Sequence, residues 1–182
     1  MGKYIIEKKL LGRSTGQLMI ESMVAISMVT IGLLGIITLL VRSSAWNRDV
    51  TLKLQATELA VEGIEVAKNI IDTDIAKILS GSATAGYNSW NSTLKDGIYE
   101  LTRESARGNI QTAAGSPQPL LFDSRTGYGY GGGTKTPLRR SITVISSGAD
   151  KILVRSEVLW GIPEKKVVLE DVFTFWRKQG GQ

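Results

Sequence analysis

Between Leu18 and Val41 the chain carries one charged side chain, Glu21, and from Met23 to Val41 it carries none. A helix rises about 1.5 Å per residue, so Leu18–Val41 would reach about 36 Å, more than the roughly 30 Å of a bilayer's hydrocarbon core. Its polar residues, Glu21, Ser22, Ser27, Thr30 and Thr38, trace no polar face at the helical period. A helix that is apolar nearly all round must be covered by lipid or by similar helices.

The segment before it is short and basic, with Lys3, Lys8, Lys9 and Arg13 against Glu7, and it closes on Arg13-Ser14-Thr15-Gly16. Positive charge ahead of a first span predicts a cytoplasmic N-terminus, with everything beyond Arg42 outside. Three arrangements compete. A cleaved secretory signal has a shorter apolar region followed by small residues, and Val41-Arg42-Ser43-Ser44-Ala45-Trp46 is a weak version of such a site. A plain membrane anchor accounts for the length but gives Glu21 no task, although an ionisable group near the end of a membrane helix is expensive and calls for a partner. A helix that is processed and then assembled uses the leader, Gly16 and Glu21 together.

Gly16-Gln-Leu-Met-Ile-Glu21-Ser-Met-Val-Ala-Ile-Ser27, behind that leader, resembles the N-terminal signal of type IV pilins and pseudopilins. In that family a basic leader ends in Gly, an apolar helix follows, and Glu is the fifth residue after the Gly. The resemblance covers roughly the first quarter of the chain. It implies a prepilin peptidase that cuts between Gly16 and Gln17 and methylates the new terminus. Gln17 departs from the Phe or Met usual at that place. The resemblance also implies that Glu21 pairs with the N-terminal amine of a neighbouring subunit. The implied partners are other pilin subunits, an inner-membrane assembly platform, and membrane lipid before assembly.

Composition narrows the chemistry. Of the five net positive charges, the first 16 residues hold three (four cations against Glu7), so the cut chain would carry two. The basic character is therefore mostly a targeting signal, and no basic patch argues for nucleic acid, although some relatives serve DNA uptake. The chain has no cysteine and no histidine. Disulfide staples, zinc sites of the usual nitrogen and sulfur type, and Ser-His or Cys-His nucleophiles are all excluded. No cofactor is expected, no catalytic constellation is visible, and Asp123, Asp150 and Asp171 are too scattered to propose a metal site.

Beyond the span, Ser43 to about Asp72 continues the helix in amphipathic form, and Thr73–Leu79 extends it or forms a short helix of its own. Val50, Leu54, Val61, Ile64, Ile71, Ile75 and Ile78 recur at helical spacings, with Lys53, Glu58, Glu62, Glu65 and Lys68 between them. Ala60-Val-Glu-Gly-Ile-Glu-Val-Ala-Lys-Asn69 is similar to a segment of many minor pilins. Glu62 and Glu65 read as solvated helix charges, with subunit contact as the sharper alternative. Ser80–Thr93 is small, polar and Gly-containing, hence a surface loop, and Asn91-Ser-Thr93 matches a glycosylation pattern that arises often by chance.

From Asp96 the pattern becomes strand-like. Gly97–Thr102, Pro119–Phe122 and Tyr128–Tyr130 are short candidates, the last two joined by a turn at Asp123–Gly127, and Asn109–Pro119 is a second loop. Gly127-Tyr-Gly129-Tyr-Gly-Gly132 fits GxGxxG, and Gly129–Thr136 nearly fits a phosphate loop except that Thr134 stands where Gly is needed. Both motifs need a helix to follow, whereas Pro137 pushes Thr136 to an extended conformation. Ser141–Ile145, Ile152–Trp160 and Lys166–Trp176 predict an antiparallel meander with turns at Ala149-Asp150 and Gly161–Lys165. In the second of these, Ile152, Val154, Ser156, Val158 and Trp160 alternate with Leu153, Arg155 and Glu157. Trp160 and Trp176 read as sheet-packing residues, and the stretch from Val158 to Arg177 again resembles minor pilins, more loosely.

The expected fold is thus α+β: a long N-terminal helix, membrane-embedded in its first half and amphipathic in its second, packed on a C-terminal antiparallel sheet. The expected divisions are a leader at 1–16, an assembly half at 17–42, an amphipathic half at 43–79 and a loop-rich β domain at 80–182. The favoured function is structural: a minor type IV pilin or pseudopilin, single-pass in the cytoplasmic membrane and then outside it in a fibre. The rival is a tip adhesin or DNA-contacting subunit acting through the loops at Ser80–Thr93 and Tyr128–Pro137. A plain anchored outer domain stands behind both.

Overall fold

A computed structural model describes residues 15–81, 90–108, 110–113, 115–148 and 150–175. The chain forms two compact units, Met1–Asp49 and Val50–Gln182. One helix, α1 (Thr15–Leu79), supplies residues to both.

In the first unit every side chain of α1 from Gly16 to Arg48 is exposed. Ser22 donates its hydroxyl to the Met19 carbonyl, Ser27 to Val24, Thr30 to Ile26 and Thr38 to Leu34, each at 2.8 Å. Those hydroxyls are satisfied inside the helix and place no polar demand on its surroundings. Near the N-terminus, α1 is long and apolar enough to cross a membrane.

Among the described residues of the second unit, seven antiparallel strands form one sheet: β1 (Gly97–Glu100), β2 (Gln111–Thr112), β3 (Pro119–Asp123), β4 (Gly127–Gly129), β5 (Thr134–Ser146), β6 (Lys151–Trp160) and β7 (Lys165–Thr174). β5 is the spine. On one side its start pairs with β3 and its end with β1, while β4 and β2 pair outside those; on the other side it pairs with β6, and β6 with β7. The fold class and the β5–β6–β7 meander are as the sequence predicts. The alternation of β6 holds residue by residue, with Ile152, Val154, Ser156, Val158 and Trp160 buried. The Asp123 turn holds as well: its carboxylate accepts the Arg125 N–H at 2.7 Å and the Thr126 N–H at 3.2 Å, which keeps its pKa below the usual value.

The outer part of α1 meets the sheet along small residues. Ala56, Ala60, Gly63 and Ala67, at spacings of four, three and four, all face inward and are buried. Gly63 is the point of closest approach: a Cβ there would stand 2.5 Å from Ser156 Oγ and 3.1 Å from Ile142 Cδ1. Around Ala56, Leu59 and Ala60 the sheet contributes Leu138, Val158 and Trp160. Around Val66, Ile70 and Ile71 it contributes Ile142, Val144, Ile152 and Val154. Trp90 stacks on Phe175 beside that second cluster, with ring centres 5.6 Å apart.

Several expectations change. Val50, Leu54 and Val61 are exposed rather than turned to the sheet. The contact stripe is rotated because helix and sheet approach too closely for branched side chains along its middle. Residues 134–137 belong to β5 rather than to a Gly-rich loop, so a strand stands where a phosphate loop needs its helix. Gly133, at φ +111, is fixed by packing: a Cβ would lie 2.5 Å from the Phe122 carbonyl oxygen. A 3-10 helix (Arg103–Arg107) and β2 fill a stretch with no strong pattern. The expectations for Ala149, Trp176, the leader up to Ser14 and most of the loop after Ser80 lie outside the described residues.

Candidate functional site

Gly16 and Gln17 occupy the first turns of α1, and Glu21 follows one turn after Gln17 on the same face, all three exposed. Among the described residues Glu21 has no hydrogen-bond or ion-pair partner. Every hydroxyl in the span is satisfied by its own helix, so Glu21 alone presents unmet polar chemistry there. Nothing lies within 4 Å of where a Cβ would stand at Gly16, Gly32 or Gly35. Glycine inside a helix costs about 1 kcal/mol relative to alanine, and the chain's own packing gives no reason for any of the three. Small residues at such positions let another helix approach closely.

The outer unit holds a second polar constellation, which the sequence reading missed. Arg140 is fully buried. Its Nη1 donates to the Leu59 carbonyl at 2.9 Å and faces Glu62 Oε2 at 3.5 Å, and its Nη2 donates to the Leu101 carbonyl. Arg103 Nε reaches the other oxygen of Glu62 at 3.1 Å. One guanidinium therefore ties the middle of α1 to β5 and to the end of β1. The Tyr130 hydroxyl donates to the Arg140 carbonyl at 3.0 Å, and burial pushes its pKa up to about 12. A signal for Arg140 was present: it stands in phase with Leu138, Ile142 and Val144 on a strand whose alternate residues point inward. Glu62 is thus a paired charge and not a solvated one, while Glu65 is exposed.

Two shallow hollows flank this network. One, of about 200 Å³, lies between Glu100, Arg103, Gln111 and Tyr130; the other, of about 520 Å³, lies along Glu58, Glu62 and Glu65 with Arg103 and Tyr128. Two of their carboxylates are already engaged, Glu62 by Arg103 and Arg140 and Glu100 by the Gln118 N–H at 2.9 Å. Among the described residues no group of three or more carboxylates could hold a metal ion.

The glycosylation triplet also has a structural account. Buried Asp74 on α1 accepts the Thr93 N–H at 2.8 Å, the Thr93 hydroxyl at 2.7 Å and the Ser92 hydroxyl at 3.2 Å. Thr93 is held by the core edge of the helix, whatever happens at Asn91.

Family models, curated proteins and solved structures return no match to this chain. The functional reading therefore rests on the residues and on the fold they build.

Proposed function

We propose that the chain is a pilin-like subunit of the minor type IV pilin or pseudopilin kind. It is held in the cytoplasmic membrane by α1, cut between Gly16 and Gln17 by a prepilin peptidase, and assembled through the same helix into a pilus or secretion pseudopilus. In this reading the leader up to Gly16 stays on the cytoplasmic side and the outer unit is exported. Glu21 supplies the carboxylate that receives the N-terminal amine of a neighbouring subunit. That contact offsets the cost of keeping a charge in an apolar setting.

The observation that carries the proposal is the isolation of Glu21. It is one exposed carboxylate, without a partner among the described residues, five positions after a glycine that the fold does not require. The pilin-like architecture of a long apolar N-terminal helix with an antiparallel sheet supports it. The test is co-expression with a prepilin peptidase, followed by N-terminal sequencing and intact mass. A chain beginning at Gln17, with or without one added methyl, is expected. A chain still beginning at Met1, or one cut near Ala45, would overturn the reading.

A further inference from the structure

The two hollows beside Arg103 form one acidic surface. Both are lined by Arg103 and Tyr128, so they run into each other. Among the described side chains that line them, Glu58, Glu62, Glu65, Glu100 and Glu104 stand against one cation, Arg103, although the whole chain is net positive. Arg103 gives its Nε to Glu62, whose other oxygen faces the buried Arg140. Glu58, Glu65 and Glu104 are exposed and have no hydrogen-bond or ion-pair partner among the described residues. Glu58 and Glu65 lie two turns apart on α1, about 10 Å along its axis.

Exposed glutamates on a helix are ordinary, but Glu100 is not of that kind. It is only 5% exposed, and its Oε1 accepts the Gln118 N–H. Its Oε2 has no partner among the described residues, yet it is not one of the polar atoms sealed from solvent. Glu100 lines the smaller hollow, so that oxygen opens into it. Burying a carboxylate with part of its accepting capacity unmet costs stability, and the fold gains nothing from the open oxygen. In so dry a place a carboxylate favours a charged donor, whose hydrogen bonds are about twice as strong as neutral ones. The rings of Tyr128 and Tyr130 line the same hollow and offer faces that attract a cation. With one oxygen free, a compact ammonium fits better than a guanidinium, whose fork seeks two. At about 200 Å³ the hollow is smaller than the roughly 300–1,000 Å³ of pockets that enclose a whole small ligand. It suits the end of one side chain.

We propose that this surface receives a lysine-bearing stretch of a partner polypeptide. One ammonium enters the smaller hollow and donates to Glu100 Oε2 beside the two tyrosine rings, and neighbouring lysines lie along Glu58 and Glu65. The acidic track along α1 extends well beyond the reach of one ammonium, which favours a polypeptide over a small amine. The inference concerns the outer unit alone and does not rest on the membrane or fibre readings.

The test is the binding of a tetralysine peptide, with blocked ends and a neutral fluorophore, to the detergent-solubilised full chain, read as fluorescence anisotropy. The same peptide acetylated on every Nζ should bind about tenfold more weakly or worse, because charge-assisted bonds carry the affinity. Glu100→Gln can still accept the Gln118 N–H through its amide oxygen, so it should keep the urea midpoint while weakening the peptide about tenfold. Glu58→Gln with Glu65→Gln, on an exposed helix face, should weaken it a few-fold, an effect that shrinks as salt is raised. Asp171→Asn removes one exposed charge on β7, which β5 and β6 separate from β1, and should change nothing. Equal binding of the acetylated peptide overturns the recognition of ammonium. An effect of Glu100→Gln no larger than that of Asp171→Asn means that bulk charge alone is at work, and overturns the site. Spermine that displaces the peptide at or below the peptide's own Kd overturns the polypeptide occupant in favour of a small polyamine. No binding to the wild-type chain overturns the proposal outright. Should Glu100→Gln fail to fold, the paired Glu58 and Glu65 substitutions carry the test, and unchanged affinity at low salt overturns the acidic track.

Discussion

Arg140 is the costliest side chain to hold where it lies, a guanidinium with no exposed surface whose Nε has no partner among the described residues. Its Nη donors meet two carbonyls and Glu62, and removing it would strand the Leu59 and Leu101 carbonyls. Breaking a buried charge pair from one side typically costs about 3–5 kcal/mol. Glu62 keeps Arg103 and some water, so Arg140→Met should destabilise the outer unit by about 3 kcal/mol. The readout is urea unfolding of the detergent-solubilised full chain followed by tryptophan fluorescence. Adding Glu62→Gln should cost little more, because its buried partner has already gone; full additivity would show that the two do not act together. Tyr130 makes a separate prediction. Its folded pKa, about 12, lies above the ordinary value of 10, so its contribution is complete below pH 10 and is lost as pH rises through 12. The two-unit difference corresponds to about 2–3 kcal/mol. Between pH 10 and 12 wild type should lose more stability than Tyr130→Phe, and parallel curves would sink this assignment.

The contact between α1 and the sheet turns on Gly63. Alanine there would bring a methyl to 2.5 Å from Ser156 Oγ, 3.1 Å from Ile142 Cδ1 and 3.3 Å from Ser156 Cβ, so rotating the hydroxyl alone does not clear the contact. Overpacking of this kind costs about 1–3 kcal/mol. Ser156 Oγ is itself buried without a partner among the described residues, so Ser156→Ala should be close to neutral. The double variant should then recover much of the loss, a coupling that a double-mutant cycle in urea measures. The same contact shows what the sequence made legible. Strong period-two alternation placed β6 correctly, because both of its faces are set by one buried layer. Val50, Leu54 and Val61 are exposed although their spacing is helical, because apolar spacing marks large residues whereas the close approach selects Ala56, Ala60, Gly63 and Ala67. The 3-10 helix and β2 escaped for another reason: their residues are held by position in the fold, as Ser105 is by its hydrogen bond to the Thr102 N–H, and not by hydrophobic pattern. Glu21 was legible because a lone charge in an apolar run stands out. Arg140 is not, because the apolar alternation that marks the strand becomes visible only from Ser141, one residue after it.

At the scale of the whole molecule, the two units have different kinds of unfinished business. The outer unit closes its own core and leaves few polar groups unmet, while the span satisfies its hydroxyls and leaves one carboxylate alone. A carboxylate lowers the affinity of a helix for lipid, so removing it should make the membrane-held state more favourable. A role in anchoring alone therefore predicts that Glu21→Gln is harmless. A role in assembly predicts a split: normal insertion, an unchanged unfolding midpoint for the outer unit, and loss from the fibre. Glu21→Asp, which keeps the charge on a shorter stem, should fall between. With the cognate assembly machinery present, the measurement is the share of subunit in the sheared fibre fraction against the share left in the membrane. Wild-type incorporation of Glu21→Gln would remove the assembly role and leave α1 as an anchor. If the glutamine variant stays in the membrane with its outer unit intact, the carboxylate acts between subunits and not within one.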